Sequence, residues 1–530
     1  MLFTTSSAQL SRRQSKLSFQ VNGKLLIMIP VAFLLVSRGA IAASSHPECQ
    51  AKVSSICSRE PLRSGVTAVL AVRMDGDTLV SVNPSCKLVP ASTAKLITTG
   101  LALRALGPSR RFETRLAYKG SIVDSTLVGD LYIVGGGDPT LAASTGCAVD
   151  RDRTFRQWLS ILRAAGISSV DGRIIGDPRY FDDPDPEGLG SSYEDIGTDY
   201  GAAPTGLSFN ENIQTFTVNP GALEGSAPVV RPRYPETPWM KYANTAVTTA
   251  PRTERDMYYF NTRFGPYGQF AGKFPLDGPQ YVLCCSNRFG AYTCAWYFYR
   301  FLTVSGVSVS GGFADVSPYG FIRTDLRSFD SGFAAPAQES LTYIGSTFSS
   351  TVSEIVKDTN FNSDNFYAET LLRQMGKIRG KGADVESCIE LEEALVREMG
   401  LRMTNSCQLM DGSGLSRKNY IAPAFMVAFL RKMASTEVFG HFFASLPKAG
   451  QRGSTMETRL KSAPAQLRDR VHMKSGSMNG VRCFSGYIDA TDGKPGHIVA
   501  FTVMTNNVTA GSYTVYPIID EIIALIASEN

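Results

Sequence analysis

Three short polar motifs lie far apart along this 530-residue chain, and each stands at the predicted start of a helix or strand. They are Ser92-Thr93-Ala94-Lys95, Ser363-Asp364-Asn365 and Lys474-Ser475-Gly476. Ser363 follows Ser92 by 271 residues, which leaves room for a large insertion between the first two motifs. A fold that brings the three motifs together must therefore accommodate a long intervening segment.

The first motif combines a hydroxyl and an amine at helical spacing. Positions i and i+3 share a helix face, so the Lys95 amine can approach the Ser92 hydroxyl. A lysine can activate a serine only if its pKa falls well below about 10.4, which burial or a second cation would achieve. Free N–H groups at a helix start also suit a developing oxyanion. Taken alone, the motif equally describes a helix start with a solvated lysine.

The second motif has two interpretations. Ser, Asp and Asn are all helix N-cap residues, because they accept hydrogen bonds from free N–H groups. In a catalytic interpretation, Ser363 relays a proton to a leaving amine, and Asn365 holds Lys95 and the substrate amide.

The third motif precedes a predicted strand, whose edge can pair with an extended peptide. Lys474 supplies a fixed cation and Ser475 a hydroxyl for a carboxylate, while Gly476 has no side chain to block the approach. The alternative is a simple Lys-Ser-Gly turn.

In this order the motifs form the set found in β-lactamases and penicillin-binding proteins. Further segments extend the likeness, namely Pro90–Gly100, 129–140, Asp411–Ser416 and Leu446–Gly450 with Gly453 and Thr455. With them the chain resembles the class C low-molecular-mass penicillin-binding proteins, which are D-alanyl-D-alanine carboxypeptidase/endopeptidases. The resemblance covers most of the chain after about residue 60. It departs from the commoner pattern at Ser475, where threonine is usual.

The resemblance implies an α/β (α+β) fold with a transpeptidase-like domain, in which helices flank an antiparallel sheet. A large β-rich insertion interrupts that domain, and a β-lactamase would have no room for it. The predicted ranges are a catalytic domain over 43–118 and 326–530, an inserted domain over 119–325, and a nested subdomain over about 218–280. The last range is rich in turn formers and could instead be a set of long loops.

The resemblance also assigns roles to residues. Catalysis falls to Ser92, Lys95, Ser363, Asn365 and Lys474, and substrate binding to Ser475, Gly476 and Ser477. Ser92 would attack the D-Ala-D-Ala carbonyl, with Lys95 accepting its proton and the N–H groups of Ser92 and Ser477 holding the oxyanion. Ser363 and Lys474 would protonate the departing D-alanine, and water would then hydrolyse the acyl-enzyme. No cofactor or metal is implied.

The resulting hypothesis is a serine D,D-peptidase that acts on peptidoglycan stem peptides and is trapped by β-lactams. One alternative is a catalytically inactive protein of the same fold that binds cell-wall peptides; another is a relative acting on small peptides or esters. His472 suggests a Ser-His-Asp triad, but no G-x-S-x-G elbow accompanies it, so a packed or surface histidine is the preferred interpretation.

The sequence predicts an export signal over residues 1–42. The apolar run Leu25–Val36 follows a cationic stretch and precedes the small-residue pattern Ala40-Ile41-Ala42. This run is shorter than the about 20 residues that span a bilayer, so we expect an exported, periplasmic protein without an integral span after signal removal. A retained anchor is the alternative, and loose membrane association stays open.

Charge and cysteine usage complete the picture. The five cations of residues 1–42, which contain no acid, account for the formal net charge of +5. The neutral remainder predicts no nucleic-acid partner. An exported chain can form disulfides, and Cys49 and Cys57 are predicted to close a small N-terminal loop.

The coarse periodicity predicts several elements. They are a hairpin over 66–82, a helix over Ser92–Leu106, one helical run over Ser353–Met375, a helix over Glu386–Met399, strands over Cys483–Asp489 and His497–Thr505, and a closing helix over Tyr516–Ala527.

Overall fold

The structure is a computed structural model, and it describes residues 44–143, 146–181, 190–262, 264–327 and 333–530. The predicted signal peptide over 1–42 lies outside these residues. Within the described ranges, no helix combines the length and apolar character needed to cross a membrane.

The described residues form α-helices and β-strands with the following bounds. The helices are α1 (Pro47–Cys57), α2 (Lys95–Leu106), α3 (Arg151–Ala164), α4 (Gly290–Val304), α5 (Val352–Asn362), α6 (Asn365–Ile378), α7 (Val385–Glu398), α8 (Pro423–Met433), α9 (Phe439–Ser445), α10 (Ala465–Arg468) and α11 (Ser512–Glu529). The strands are β1 (Val66–Arg73), β2 (Thr78–Val82), β3 (Glu113–Val123), β4 (Thr126–Val134), β5 (Ser169–Asp171), β6 (Ile174–Asp177), β7 (Ile213–Asn219), β8 (Val229–Tyr234), β9 (Lys241–Asn244), β10 (Val247–Thr249), β11 (Asp256–Asn261), β12 (Tyr267–Pro275), β13 (Tyr281–Ser286), β14 (Phe313–Val316), β15 (Ile322–Arg323), β16 (Thr342–Phe348), β17 (Cys407–Gln408), β18 (Tyr420–Ile421), β19 (Val471–Met478), β20 (Val481–Ile488) and β21 (Val499–Asn506).

A five-stranded antiparallel sheet joins both ends of the chain, in the order β19-β20-β21-β1-β2. Side chains alternate along β1, so Val69 and Ala71 pack with α1 and α11. Leu70 and Val72 point to the opposite face, where they join the core formed with α2 and α5–α8. This arrangement confirms the predicted antiparallel sheet flanked by helices.

The predicted Cys49–Cys57 disulfide is wrong. Both cysteines lie on α1 and both are free. Eight residues of α-helix separate their Cα atoms by about 12 Å, at about 1.5 Å per residue. A disulfide requires Cα atoms within about 7 Å, so the helix rules out the bond.

A second, mixed sheet has the order β15-β14-β6-β4-β3-β16, with β5 also beside β4. Helices α3 and α4 cover one face with an aromatic cluster that contains Phe155, Trp158 and Phe298. Strand β3 runs across the predicted boundary at 118/119, and its partner β16 follows the predicted boundary at 325/326. The domain boundaries therefore stay predictions.

The segment rich in turn formers is organised into two small sheets. One has the order β13-β7-β8, and the other groups β9, β10 and β11 around β12. Phe216, Tyr259, Phe270 and Phe274 form a shared core between them. Strands β8 to β12 lie within the range of about 218–280, which the sequence predicts to be a nested subdomain, and β7 and β13 flank it.

The predicted helical run over 353–375 is two helices, because the second motif interrupts it. Ser363 adopts a left-handed backbone conformation (φ 63°) at the end of α5. The Asp364 carboxylate then accepts a hydrogen bond from the Tyr367 N–H (2.8 Å) and caps α6. After the break, Asn365 begins α6 and its side chain reaches Lys95 of the first motif.

Candidate active site

The first two motifs meet at one amine. Ser92 lies in a 3-10 turn, Ala91–Ala94, that leads directly into α2. The Nζ of Lys95 lies 2.9 Å from Ser92 Oγ and 2.6 Å from Asn365 Oδ1. The structure thus brings together three of the residues predicted from the sequence.

The Lys95 amine is fully buried and has a third partner, the Ser413 carbonyl oxygen at 2.6 Å. Burial lowers the pKa of Lys95 to about 8, although the carboxylates of Asp411, Asp364 and Glu369 act in the opposite direction. A neutral amine carries two hydrogens and one lone pair. The amide and carbonyl oxygens can only accept, so they take the two hydrogens and leave the lone pair directed at the Ser92 hydroxyl.

Two carboxylates hold the loop that carries the Ser413 carbonyl. Glu369 accepts hydrogen bonds from the Gly412 N–H (3.0 Å) and the Ser413 N–H (2.8 Å). Asp411 accepts one from the Gly414 N–H (2.8 Å). Sequence reasoning missed these roles, although the Asp411–Ser416 segment was itself part of the family resemblance.

The third motif lies on β19, at the edge of the five-stranded sheet. The Met473 N–H donates to the Pro447 carbonyl (3.0 Å), and the Ala449 N–H donates to the Val471 carbonyl (2.9 Å). Backbone groups alternate sides along a strand, so Ser475 and Ser477 direct theirs to this same outer edge. The Ser477 N–H therefore points away from the sheet, beside the turn that carries Ser92.

Gly476 lets the strand approach that turn closely. A Cβ atom at this position would lie 2.5 Å from the Pro90 carbonyl oxygen and 3.0 Å from the Ser92 nitrogen. No side chain fits in this space without moving the turn or the strand, which is the physical requirement for glycine here.

Lys474 and Ser363 complete the set from the sequence. Lys474 is fully buried, and its Nζ donates to the Ser475 carbonyl (2.8 Å). Burial, together with the nearby Lys95 charge, lowers the pKa of Lys474 well below its ordinary value. The Ser363 hydroxyl makes no hydrogen bond to any residue that the structure describes, which leaves it available to a substrate.

A residue from the predicted insertion also contacts the site. The Asn365 Nδ2 donates to the Tyr200 carbonyl oxygen (2.8 Å). Asn365 thus bridges Lys95 and the inserted segment through its two amide atoms. The sequence carries no signal for this contact, because every residue type has a carbonyl group.

His472 is a packed side chain, as expected. Its ring lies 4.3 Å from that of Phe443, measured between centroids. Its Nε2 lies 3.4 Å from the Asp489 carboxylate. Within the described part of the chain, the Ser92 hydroxyl has Lys95 as its hydrogen-bond partner and not this histidine.

The chain is similar to several known proteins. A D-alanyl-D-alanine carboxypeptidase of Actinomadura sp. (strain R39) is 28% identical over 496 residues, covering 90% of this chain and 85% of that protein. The crystal structure of penicillin binding protein 4 from Haemophilus influenzae superposes with a TM-score of 0.75 at 22% identity, covering 90% of this chain and 98% of that one. Its complex with a novel β-lactam gives 0.68 at 20% identity, covering 90% and 99%. The model of the D-Ala-D-Ala carboxypeptidase 3 (S13) family matches residues 49–315 and 333–527. This match spans most of the sequence, and the chain belongs to that family.

Proposed function

We propose that this chain is a serine D,D-peptidase that cleaves D-Ala-D-Ala termini or D-Ala cross-links of peptidoglycan stem peptides. The acyl-enzyme would form on Ser92. One observation carries the proposal: a buried lysine amine, held by the Asn365 and Ser413 oxygens, lies 2.9 Å from the Ser92 hydroxyl. Membership of a serine carboxypeptidase family supports the same reaction.

In the acylation step, Ser92 Oγ attacks the carbonyl carbon of the penultimate D-alanine while Lys95 takes the hydroxyl proton. Negative charge develops on the substrate oxygen. The N–H groups of Ser92 and Ser477 are the donors for it, because the absence of a side chain at Gly476 brings strand and turn together.

In the second half of the step, the C–N bond breaks and the amine of the departing D-alanine needs a proton. The unpartnered hydroxyl of Ser363 would relay that proton together with the buried Lys474 amine. Ser475 would hold the carboxylate of the leaving residue. Water then attacks the ester, and its proton returns through Lys95 to Ser92.

The edge of β19 accounts for an extended peptide as substrate. Backbone groups of Ser475 and Ser477 are directed outward and can pair with a peptide backbone. A β-lactam would occupy the same edge and acylate Ser92, and its leaving group would stay attached. The export signal in the sequence makes the periplasm the proposed location.

Intact-mass spectrometry tests this function. The chain from residue 43 onward is incubated with penicillin G, and the adduct is mapped by peptide digestion. We expect one adduct per chain, on the peptide that contains Ser92. The Ser92→Ala variant should remain unmodified, whereas Ser121→Ala, which removes an exposed serine on β3, should react as the unaltered chain does.

Incubation with a D-Ala-D-Ala pentapeptide and with a cross-linked stem dimer then separates carboxypeptidase from endopeptidase activity. Released D-alanine or separated monomers identify the reaction. A folded chain that forms no adduct and releases no product would favour the alternative, a catalytically inactive protein that binds cell-wall peptides.

A further inference from the structure

A cavity of about 510 Å³ lies in the inserted part of the chain. The residues that follow β6, the end of β14, the start of α4 and most of the segment 201–205 contribute to its wall. Pockets that hold small organic ligands have volumes of about 300–1,000 Å³. None of the residues assigned to the reaction at Ser92 lines this cavity.

Two arginines in the wall are held in place and still have donors to offer. Asp177 accepts hydrogen bonds from Arg179 Nε (2.9 Å) and Nη2 (2.7 Å). Asp315 accepts from Arg323 Nε (2.8 Å) and from its Nη2. The Nη1 atoms of Arg179 and Arg323 make no hydrogen bond to the described part of the chain.

Asp315 itself and a third arginine, Arg288, also line the cavity, and much of the remaining wall is apolar. Phe181, Phe289, Tyr319 and Pro204 contribute rings or apolar surface. The aspartates engage the Nε and Nη2 side of each guanidinium group, and the Nη1 donors that remain favour an acceptor-rich anionic group such as a carboxylate. An apolar wall favours an organic body attached to that group.

Consecutive residues of the chain contact the cavity and the active site. Gly201 and residues 203–205 line the cavity, and the carbonyl oxygen of Tyr200, the preceding residue, accepts a hydrogen bond from Asn365. The short segment 200–205 therefore contacts both the cavity and, through Asn365, the Ser92 site.

We propose that this cavity is a second binding site for a peptide that ends in a carboxylate. The inference rests on the proposed function, because that function supplies the ligand class. Arg179 and Arg323 would hold the carboxylate through their Nη1 groups, and the aromatic wall would hold the peptide body.

Isothermal titration calorimetry on the penicillin-acylated chain tests the proposal. Acylation fills the Ser92 cleft first, so that any further binding occurs at another site. The probe is acetyl-D-Ala-D-Ala, and its C-terminal amide is the uncharged control. We expect saturable binding of one acid per chain and at least tenfold weaker binding of the amide. Absence of binding to the acylated chain, or equal binding of the amide, would overturn the proposal.

Variants locate the site. Arg179→Lys with Arg323→Lys keeps both positive charges beside their aspartates but replaces each guanidinium group with a single amine. The Nη1 donors are then lost, so binding should weaken at least tenfold. Arg173→Lys is the matched control, since Arg173 makes the same two-point contact with Asp130 and does not line the cavity. It should bind within twofold of the unaltered chain, and equal weakening in both would refute the assignment.

The acylation step separates the two ideas. A chain that penicillin does not acylate contradicts the proposed function and this inference with it, whereas an acylated chain that binds no acid contradicts this inference alone. Penicillin acylation of the double variant also checks its folding. If the double variant is not acylated, Arg179→Lys alone carries the test.

Discussion

Replacing Gly476 with alanine should slow acylation without unfolding the protein. The added Cβ would lie 2.5 Å from the Pro90 carbonyl oxygen, about 1 Å inside ordinary contact. Strand β19 and the turn that carries Ser92 must separate by a similar amount. A misplacement of about 1 Å in a catalytic arrangement costs on the order of 100-fold in rate, or about 2.7 kcal/mol of activation free energy.

The assay is the second-order rate constant for acylation by a fluorescent penicillin, with thermal unfolding measured on the same samples. Gly440→Ala is the control, because a Cβ on that residue of α9 meets no atom within 4 Å. Gly440→Ala should react at the unaltered rate. A folded Gly476→Ala variant whose acylation rate stays within threefold would refute the argument that the reaction depends on this close approach.

Three further predictions concern buried ionisable groups. Because burial lowers the pKa of Lys95 to about 8, acylation should accelerate about tenfold between pH 6 and 7 and level off above about pH 8; a flat profile from pH 6 to 9 would contradict Lys95 as the base. Asn365→Asp places a carboxylate against the Lys95 amine and should move that profile upward by about one pH unit or more, whereas an unmoved midpoint would show that the two side chains do not interact in solution. Burial raises the pKa of Glu392 to about 8, so the folded state retains a proton that the unfolded chain releases near pH 4.5. The free energy of unfolding should therefore fall as the pH rises from about 4.5 to 8, and Glu392→Gln should remove that part of the fall. Denaturant titrations at pH 5 and pH 8 measure it; an equal loss of unfolding free energy in both proteins would contradict the prediction.

The residues with distinctive side chains were predictable from the sequence. The i, i+3 spacing of Ser92 and Lys95 requires only local geometry, and the two side chains do meet. The prediction of an N-cap at the second motif also holds, since Asp364 caps α6 while its neighbour Asn365 reaches Lys95. One short segment can therefore serve both structure and site.

The contacts that involve backbone atoms could not be predicted in this way. Ser413 and Tyr200 contribute carbonyl oxygens, and any other residue type would supply the same atom. The loop conformation that directs the Ser413 carbonyl depends on Glu369, which lies 44 residues earlier in the chain. Residue type alone does not report such long-range packing.

The outer edge of β19 has a further consequence for how the protein behaves at high concentration. An open strand edge is a template on which other chains can assemble. Here the segment 447–449 pairs with the edge as far as Met473, and the Lys474 amine occupies the Ser475 carbonyl. Beyond the Ser475 carbonyl only Gly476–Met478 remains, which is three residues and shorter than the five or six of a common strand. The protein can therefore keep an edge accessible to a short ligand while offering little to self-association.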